Sequence, residues 1–171
     1  MRACYVAALF LLSACQDRSV VDLDGRPKEL PGLSALVFTS PGCPIANRYA
    51  PEITRLAARF QGRISWWLVY PDASPAEARA NLTEYALAIP ALRDPTHRLV
   101  ARTHVEVTPE AALLRDGTPV WHGRIDDRFA DIGKERPQPT THDLEDAITA
   151  LVDGKPLPAP HPAVGCAIER R

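Results

Sequence analysis

The sequence predicts an α/β domain, a mixed β-sheet flanked by helices, and three observations carry that expectation. Ala35-Leu36-Val37-Phe38 and Ile64-Ser65-Trp66-Trp67-Leu68-Val69-Tyr70 are near-continuous apolar runs, the pattern of strands buried on both faces. Between them Ile45, Tyr49, Ile53, Leu56, Ala57 and Phe60 recur every three or four residues, with Arg48, Glu52, Arg55 and Arg59 opposite, as in an amphipathic helix. Strands and helices alternate at first, and a hairpin and a helix then close the domain.

Each element has its own local reason. Residues 15–32 read as a leader, with a turn at Asp24-Gly25 and prolines at 27 and 31. Pro51 lies inside the amphipathic run and is expected to bend that helix. Ser74-Pro75-Ala76-Glu77 is a capping box with proline at the first helical position, predicting a helix to about Ala88. Residues 94–104 begin with Asp-Pro and read as a short helix. Glu110–Arg115, the turn Asp116-Gly117 and Val120–Ile125 predict a hairpin. Leu144, Ala147, Ile148 and Leu151 form the stripe of a last helix that Gly154 stops. The domain is therefore expected over 33–152, followed by an arm, 153–171, rich in proline. Trp66 and Trp67 read as strand packing, one to each face, and Trp121 as core.

Composition excludes some functions. The 171 residues carry a net charge of −1, so no electrostatic footprint for nucleic acid is present. The N-terminus has Arg2, a short apolar run and then Leu12-Ser13-Ala14-Cys15. The run is too short to span a membrane and fits a signal peptide over 1–14. The last four residues resemble the lipobox of bacterial lipoproteins. That resemblance implies lipidation of Cys15 and a lipid-anchored periplasmic protein, with Gln16 favouring the outer over the inner membrane. Of the four cysteines, Cys43 and Cys166 are then the two left as thiols, in a compartment where disulfides persist.

Cys43 carries the chemistry. It follows a buried strand and precedes Pro44, which suits a first helical position. A sulfur there faces unpaired backbone N–H groups and the positive end of the helix dipole, and both favour the thiolate. A thiolate is the nucleophile in disulfide exchange and in peroxide reduction. The structural alternative is an inert buried cysteine; the flanking Pro41, Gly42 and Pro44 argue for a turn instead.

The segment FTSPGCPIANRYAP resembles the active-site stretch of the thioredoxin-like superfamily, and its redoxin branch (TlpA-type and peroxiredoxin-type) in particular. Phe38 matches the family's phenylalanine, Cys43 its attacking cysteine and Ala50-Pro51 its kinked helix. Val107-Thr108-Pro109 resembles the cis-proline segment. The resemblance implies a thioredoxin fold with an extra strand–helix insertion before that proline. It also implies that Thr108 pairs with a bound thiol substrate while Pro109 faces the active sulfur. Ser40 stands where peroxiredoxins have threonine, so Ser40, Pro44, Thr108 and Pro109 are the expected substrate-facing residues. Three positions depart from the family. Ala46 replaces the second cysteine, Val37 the buried acid, and Leu36 the peroxiredoxin proline.

A lone attacking thiol needs a second one. Cys166 lies beyond the proline-rich segment that starts at Lys155, an extended arm with about 34 Å of reach at ~3.1 Å per residue. Two roles are open for the pair, a resolving thiol used in turnover or a permanent staple. The expected partners are protein or small-molecule thiols, disulfides or a peroxide, with no cofactor and no nucleic acid. Two alternatives remain. Sco-type copper-assembly proteins share the fold and use two cysteines and a histidine, and this chain offers His97, His104, His122, His142 and His161. A redox-inactive binding module is the other. No metal ligand is assigned. Arg124, Asp126, Asp127 and Arg128 read as a solvated loop that could rim a site.

Overall fold

The computed structural model of the chain describes residues 20–169. The signal segment and Cys15 lie outside the described residues. The leader contributes β1 (Val21–Asp22), which the sequence reading did not anticipate. The Asp22 carboxylate accepts the N–H groups of Asp24 and Arg26 and closes the turn in which Gly25 adopts positive φ. β2 (Leu33–Phe38) then enters the core. A helical stretch follows in two pieces, α1 (Pro44–Arg48) and α2 (Ala50–Arg59), divided at Tyr49. Pro51 supplies no N–H for the carbonyl of Asn47, so the expected bend falls two residues ahead of the proline, as a break.

β3 (Ser65–Tyr70) leads to α3 (Pro75–Glu84). The capping box is present: the Ser74 side chain accepts the Glu77 N–H at 3.3 Å, and the Glu77 carboxylate accepts the Ser74 N–H at 2.8 Å. The helix stops before the expected Ala88, because Ala86 turns left-handed at φ 52°. The N–H groups of Leu87 and Ala86 return to the carbonyls of Leu82 and Thr83, the Schellman arrangement that ends a helix. The chain gains room there for β4 (Ala91–Arg93), a strand the sequence reading missed. α4 (Arg98–Thr103) follows, with left-handed histidines at both ends, His97 and His104. They do not share a helix face. Asp94 caps α4, accepting the N–H groups of Arg98 and Val100.

β5 (Val107–Thr108) ends at the Thr108–Pro109 peptide bond, which is cis. β6 (Glu110–Arg115) and β7 (Thr118–Gly123) form the hairpin. Pro119 is tolerated in β7 because that strand is a sheet edge. In the charged segment after it, residues 130–138 are exposed as expected of a solvated loop, but residues 124–129 are not. β8 (Phe129–Asp131) and β9 (Lys134–Glu135) make a small hairpin within it, and Asp126, at 2% exposure, and Asp127 are buried. α5 (Asp143–Val152) ends at Gly154 in the same Schellman geometry, and β10 (Cys166–Ala167) lies in the arm.

The main sheet has the order β1-β4-β3-β2-β6-β7. β2, β3 and β4 are parallel, and β6, β7 and β1 run against their neighbours. Strand alternation splits the core into two layers. Ala35, Val37, Trp66 and Leu68 face α2 and α5, meeting Ile53, Leu56, Leu144 and Ile148. Leu36, Phe38 and Val69 face α4, meeting Leu99, Val100 and Val105, and Ile168 from the arm closes this side. Trp66 and Trp67 fall on opposite faces, as their neighbouring positions require.

Candidate functional site

Cys43 leaves the end of β2 and sits at the N-cap of α1 with extended backbone, φ −94° and ψ 108°. Pro44 opens α1, where its missing N–H costs nothing. The backbone of Ser40 accepts the Cys43 N–H at 3.1 Å, which curls Ser40-Pro41-Gly42 into the turn that presents the sulfur. A buried polar chain holds this turn from below. The Asn47 amide donates to the Pro41 carbonyl, Asn81 of α3 donates to Asn47, and the Tyr70 hydroxyl of β3 donates to Asn81. The sequence reading missed Asn47, Asn81 and Tyr70; an amide-bearing residue within the first turn of a helix was the only hint.

The opposite wall is the cis-proline segment. The Cys43 thiol donates to the Thr108 carbonyl at 2.9 Å. β5 is only two residues long, and Glu110 pins it. One carboxylate oxygen of Glu110 accepts the N–H groups of Glu106 and Val107, and the other meets His122 Nδ1 at 3.0 Å. A carboxylate right after the proline thus holds the short segment whose Thr108 carbonyl the sulfur touches, and no motif in the sequence announces it.

The third wall is the arm. β10 pairs antiparallel with β5, Cys166 opposite Thr108 and Ala167 opposite Val107. The arm reaches this place along a fixed track. The Trp121 indole donates to the Pro158 carbonyl, the Arg124 N–H donates to the His161 carbonyl, and the His161 ring meets Asp143 at 2.6 Å. Cys166 is thereby set beside Cys43, and both are thiols with no bridge between them.

The two sulfurs are tuned apart. Burial pushes the Cys43 thiol up. Hydrogen bonds to the sulfur from the Cys166 side chain, the Ala46 N–H, the Thr108 hydroxyl and the Cys166 N–H outweigh it, and the thiol lies below its ordinary value. Cys166 is pushed up to about 11, by burial first and then by its hydrogen bond to Cys43 and the Cys43 charge. One thiol is disposed to attack and the other to keep its proton until needed.

Of the sequence-predicted residues, Cys43, Cys166, Thr108 and Pro109 come together, with Ser40 and Pro44 framing the Cys43 turn. Asp126 and Asp127 serve structure. Asp126 accepts the Tyr49 hydroxyl at 2.6 Å, and Asp127 binds the N–H groups of Thr140 and Thr141. Among the described residues, one three-residue grouping has metal-ligand spacing, Glu52, His142 and Glu145. It contains neither cysteine, and Arg55 already bridges both its carboxylates.

No protein-family model matches the chain, and no curated protein matches it. Solved structures do. An uncharacterized conserved protein from Geobacillus kaustophilus superposes with a TM-score of 0.74 at 20% identity, over 90% of this chain and 88% of its own. A secreted disulfide oxidoreductase from Mycobacterium tuberculosis, homologous to DsbE of E. coli, superposes with a TM-score of 0.54 at 22% identity, over 79% of this chain and 93% of its own. The fold is thioredoxin-like. A thiol-disulfide oxidoreductase from Bacteroides fragilis aligns as well, with a TM-score of 0.53 at 13% identity, over 61% of this chain and 85% of its own. In thioredoxin-like terms, the arm of this chain supplies the second sulfur from residue 166, whereas position 46 holds an alanine.

Proposed function

We propose that the chain is a thiol redox protein that exchanges disulfides through Cys43, with Cys166 as the resolving thiol. The observation that carries this reading is the antiparallel pairing of Cys166 with Thr108, which sets a proton-holding thiol beside a thiolate-favouring one. The named disulfide oxidoreductases among the structural neighbours support it. In the first step the Cys43 thiolate attacks one sulfur of a partner disulfide; a Cys43–partner bond forms, and the partner's other sulfur leaves as a thiolate. Cys166 then loses its proton and attacks the Cys43 sulfur, forming Cys43–Cys166 and releasing the second partner thiol. Two protein thiols are oxidised and one disulfide is reduced; the reverse sequence oxidises a dithiol. The protein acts in the periplasm, anchored through a lipidated Cys15, with the outer membrane favoured. The four residues ending at Cys15 support the anchor, and Gln16 after it supports the outer membrane.

The test is a trapping experiment. Reduced protein is mixed with a small disulfide, in one arm, and with hydrogen peroxide, in another, and the products are mapped by mass spectrometry. Wild type is expected to end as Cys43–Cys166, and Cys166→Ser to stop, in the disulfide arm, at a mixed disulfide on Cys43. Cys43→Ser is expected to slow disulfide consumption at least about 100-fold. Equal consumption by Cys43→Ser and wild type overturns the reading. Faster oxidation by peroxide than by the disulfide overturns exchange as the main reaction.

A further inference from the structure

With the arm in place, Cys43 is 1% exposed. Residues 165–168 lie along the β5 edge beside the sulfur, so when they lift, the surface under the arm is what an external partner meets. Three features define that surface. The first is the β5 edge, which offers Thr108 and Val107 for antiparallel pairing and the Glu106 carbonyl, now taken by the Ile168 N–H at 2.9 Å. The second is an apolar seat. Ile168, 8% exposed, packs with Val100 and Val105 and borders a cavity of about 370 Å³. The third is steric. A Cβ placed on Gly165 would lie 2.2 Å from the Thr108 carbonyl oxygen and 2.6 Å from its carbon, both backbone atoms that cannot yield. Glycine at that position is imposed by close approach of two backbones, not by an unusual φ.

We propose that Gly165-Cys166-Ala167-Ile168 is a tethered copy of what the site accepts in trans: an extended polypeptide whose disulfide-bonded cysteine follows a glycine and precedes an aliphatic residue by two positions. The proposal rests on Cys43 being the nucleophile and deepens that reading by naming the partner. A small peroxide uses the sulfur alone, whereas a strand uses all three features, and the arm demonstrates that a strand fits them. Pairing of backbone groups supplies affinity, and the seat and the glycine requirement supply selection. The arm and the partner compete for one edge. Once the partner is joined to Cys43, its strand leaves the edge while still disulfide-bonded, and Cys166 returns with the arm, attacks the Cys43 sulfur and expels the partner as a thiol.

The test uses the full chain in two forms, Cys166→Ser and Gly165→Ala/Cys166→Ser. The added methyl is expected to lift the arm and raise the rate of Cys43 alkylation by iodoacetamide at least about tenfold. Ile168→Asp/Cys166→Ser gives an independent route to the same release, and far-ultraviolet circular dichroism confirms that each variant is folded. The released protein is then given the capped hexapeptide of residues 164–169, its cysteine carried as a 2-thiopyridyl disulfide. Attack by Cys43 forms the Cys43–peptide disulfide and expels 2-thiopyridone, which is read by absorbance. The glycine peptide is expected to react at least about tenfold faster than the same peptide with alanine before the cysteine, and than one with aspartate in place of isoleucine. Equal rates for the three peptides overturn the proposal while leaving Cys43 as nucleophile. No rise in alkylation in either released variant overturns the arm's role as cover. A Cys43 inert to iodoacetamide in every variant overturns the proposed function itself.

Discussion

At the residue scale, Cys43 and Cys166 leave the ordinary thiol value of 9.0 in opposite directions, and that makes the stability of the reduced protein depend on pH. Cys43 is lowered, so the folded chain holds fewer protons than the unfolded one just below pH 9; its contribution is lost as pH falls through its folded value. Cys166 is raised to about 11, so its contribution is complete below pH 9 and is lost as pH rises from about 9 to about 11. Cys166→Val keeps the burial, removes the donor to Cys43 and removes the second titration. The stability difference between reduced wild type and Cys166→Val, from urea unfolding at a series of pH values, is expected to climb toward pH 9 and decline between 9 and 11. A flat difference would show that the sulfurs do not interact. Cys43 was legible because Pro41, Gly42 and Pro44 advertise a turn. Glu110 was not, since its partners are backbone N–H groups from a neighbouring segment, and no spacing in the sequence encodes them.

Helix ends show the same contrast at the scale of elements. α3 and α5 stop in one geometry, with a left-handed residue and two return hydrogen bonds. At α5 the left-handed residue is Gly154, and the sequence predicts that stop. At α3 it is Ala86, which carries no such signal, so the sequence predicts too long a helix and no β4. An alanine held left-handed is strained by about 1–2 kcal/mol, against which glycine adds freedom to the unfolded chain. Ala86→Gly is accordingly expected to stabilise the protein by about 0.5–1 kcal/mol, seen as a higher urea midpoint with unchanged slope. The central strands and amphipathic helices were legible because burial on both faces, or on one stripe, leaves a periodic record. The two-residue strands β1, β5, β9 and β10 are too short to leave one. They exist because a neighbouring edge needs partners, a tertiary cause that the local sequence does not carry.

For the whole molecule, the arm decides how oxidation and stability are linked. Closing Cys43 to Cys166 encloses most of the domain in one loop, and the chain-entropy relation gives a stabilisation of about 4–5 kcal/mol. Oxidised wild type is expected to melt above the reduced form, and Cys166→Ser to melt at one temperature under both conditions. Equilibration with a redox buffer separates the two roles left open by the sequence: a potential below about −300 mV marks a permanent staple, and a higher one a bond that cycles. The moorings of the arm at Pro158 and His161 bear on kinetics too. They leave Cys166 on a leash of a few residues, so its local concentration at Cys43 is set by the length of that leash, not by anything in the surrounding medium. Diluting the protein a thousandfold would leave the second step untouched while slowing the first in proportion. A soluble thiol reaches parity with Cys166 only at concentrations comparable to that local value, on the order of millimolar or above.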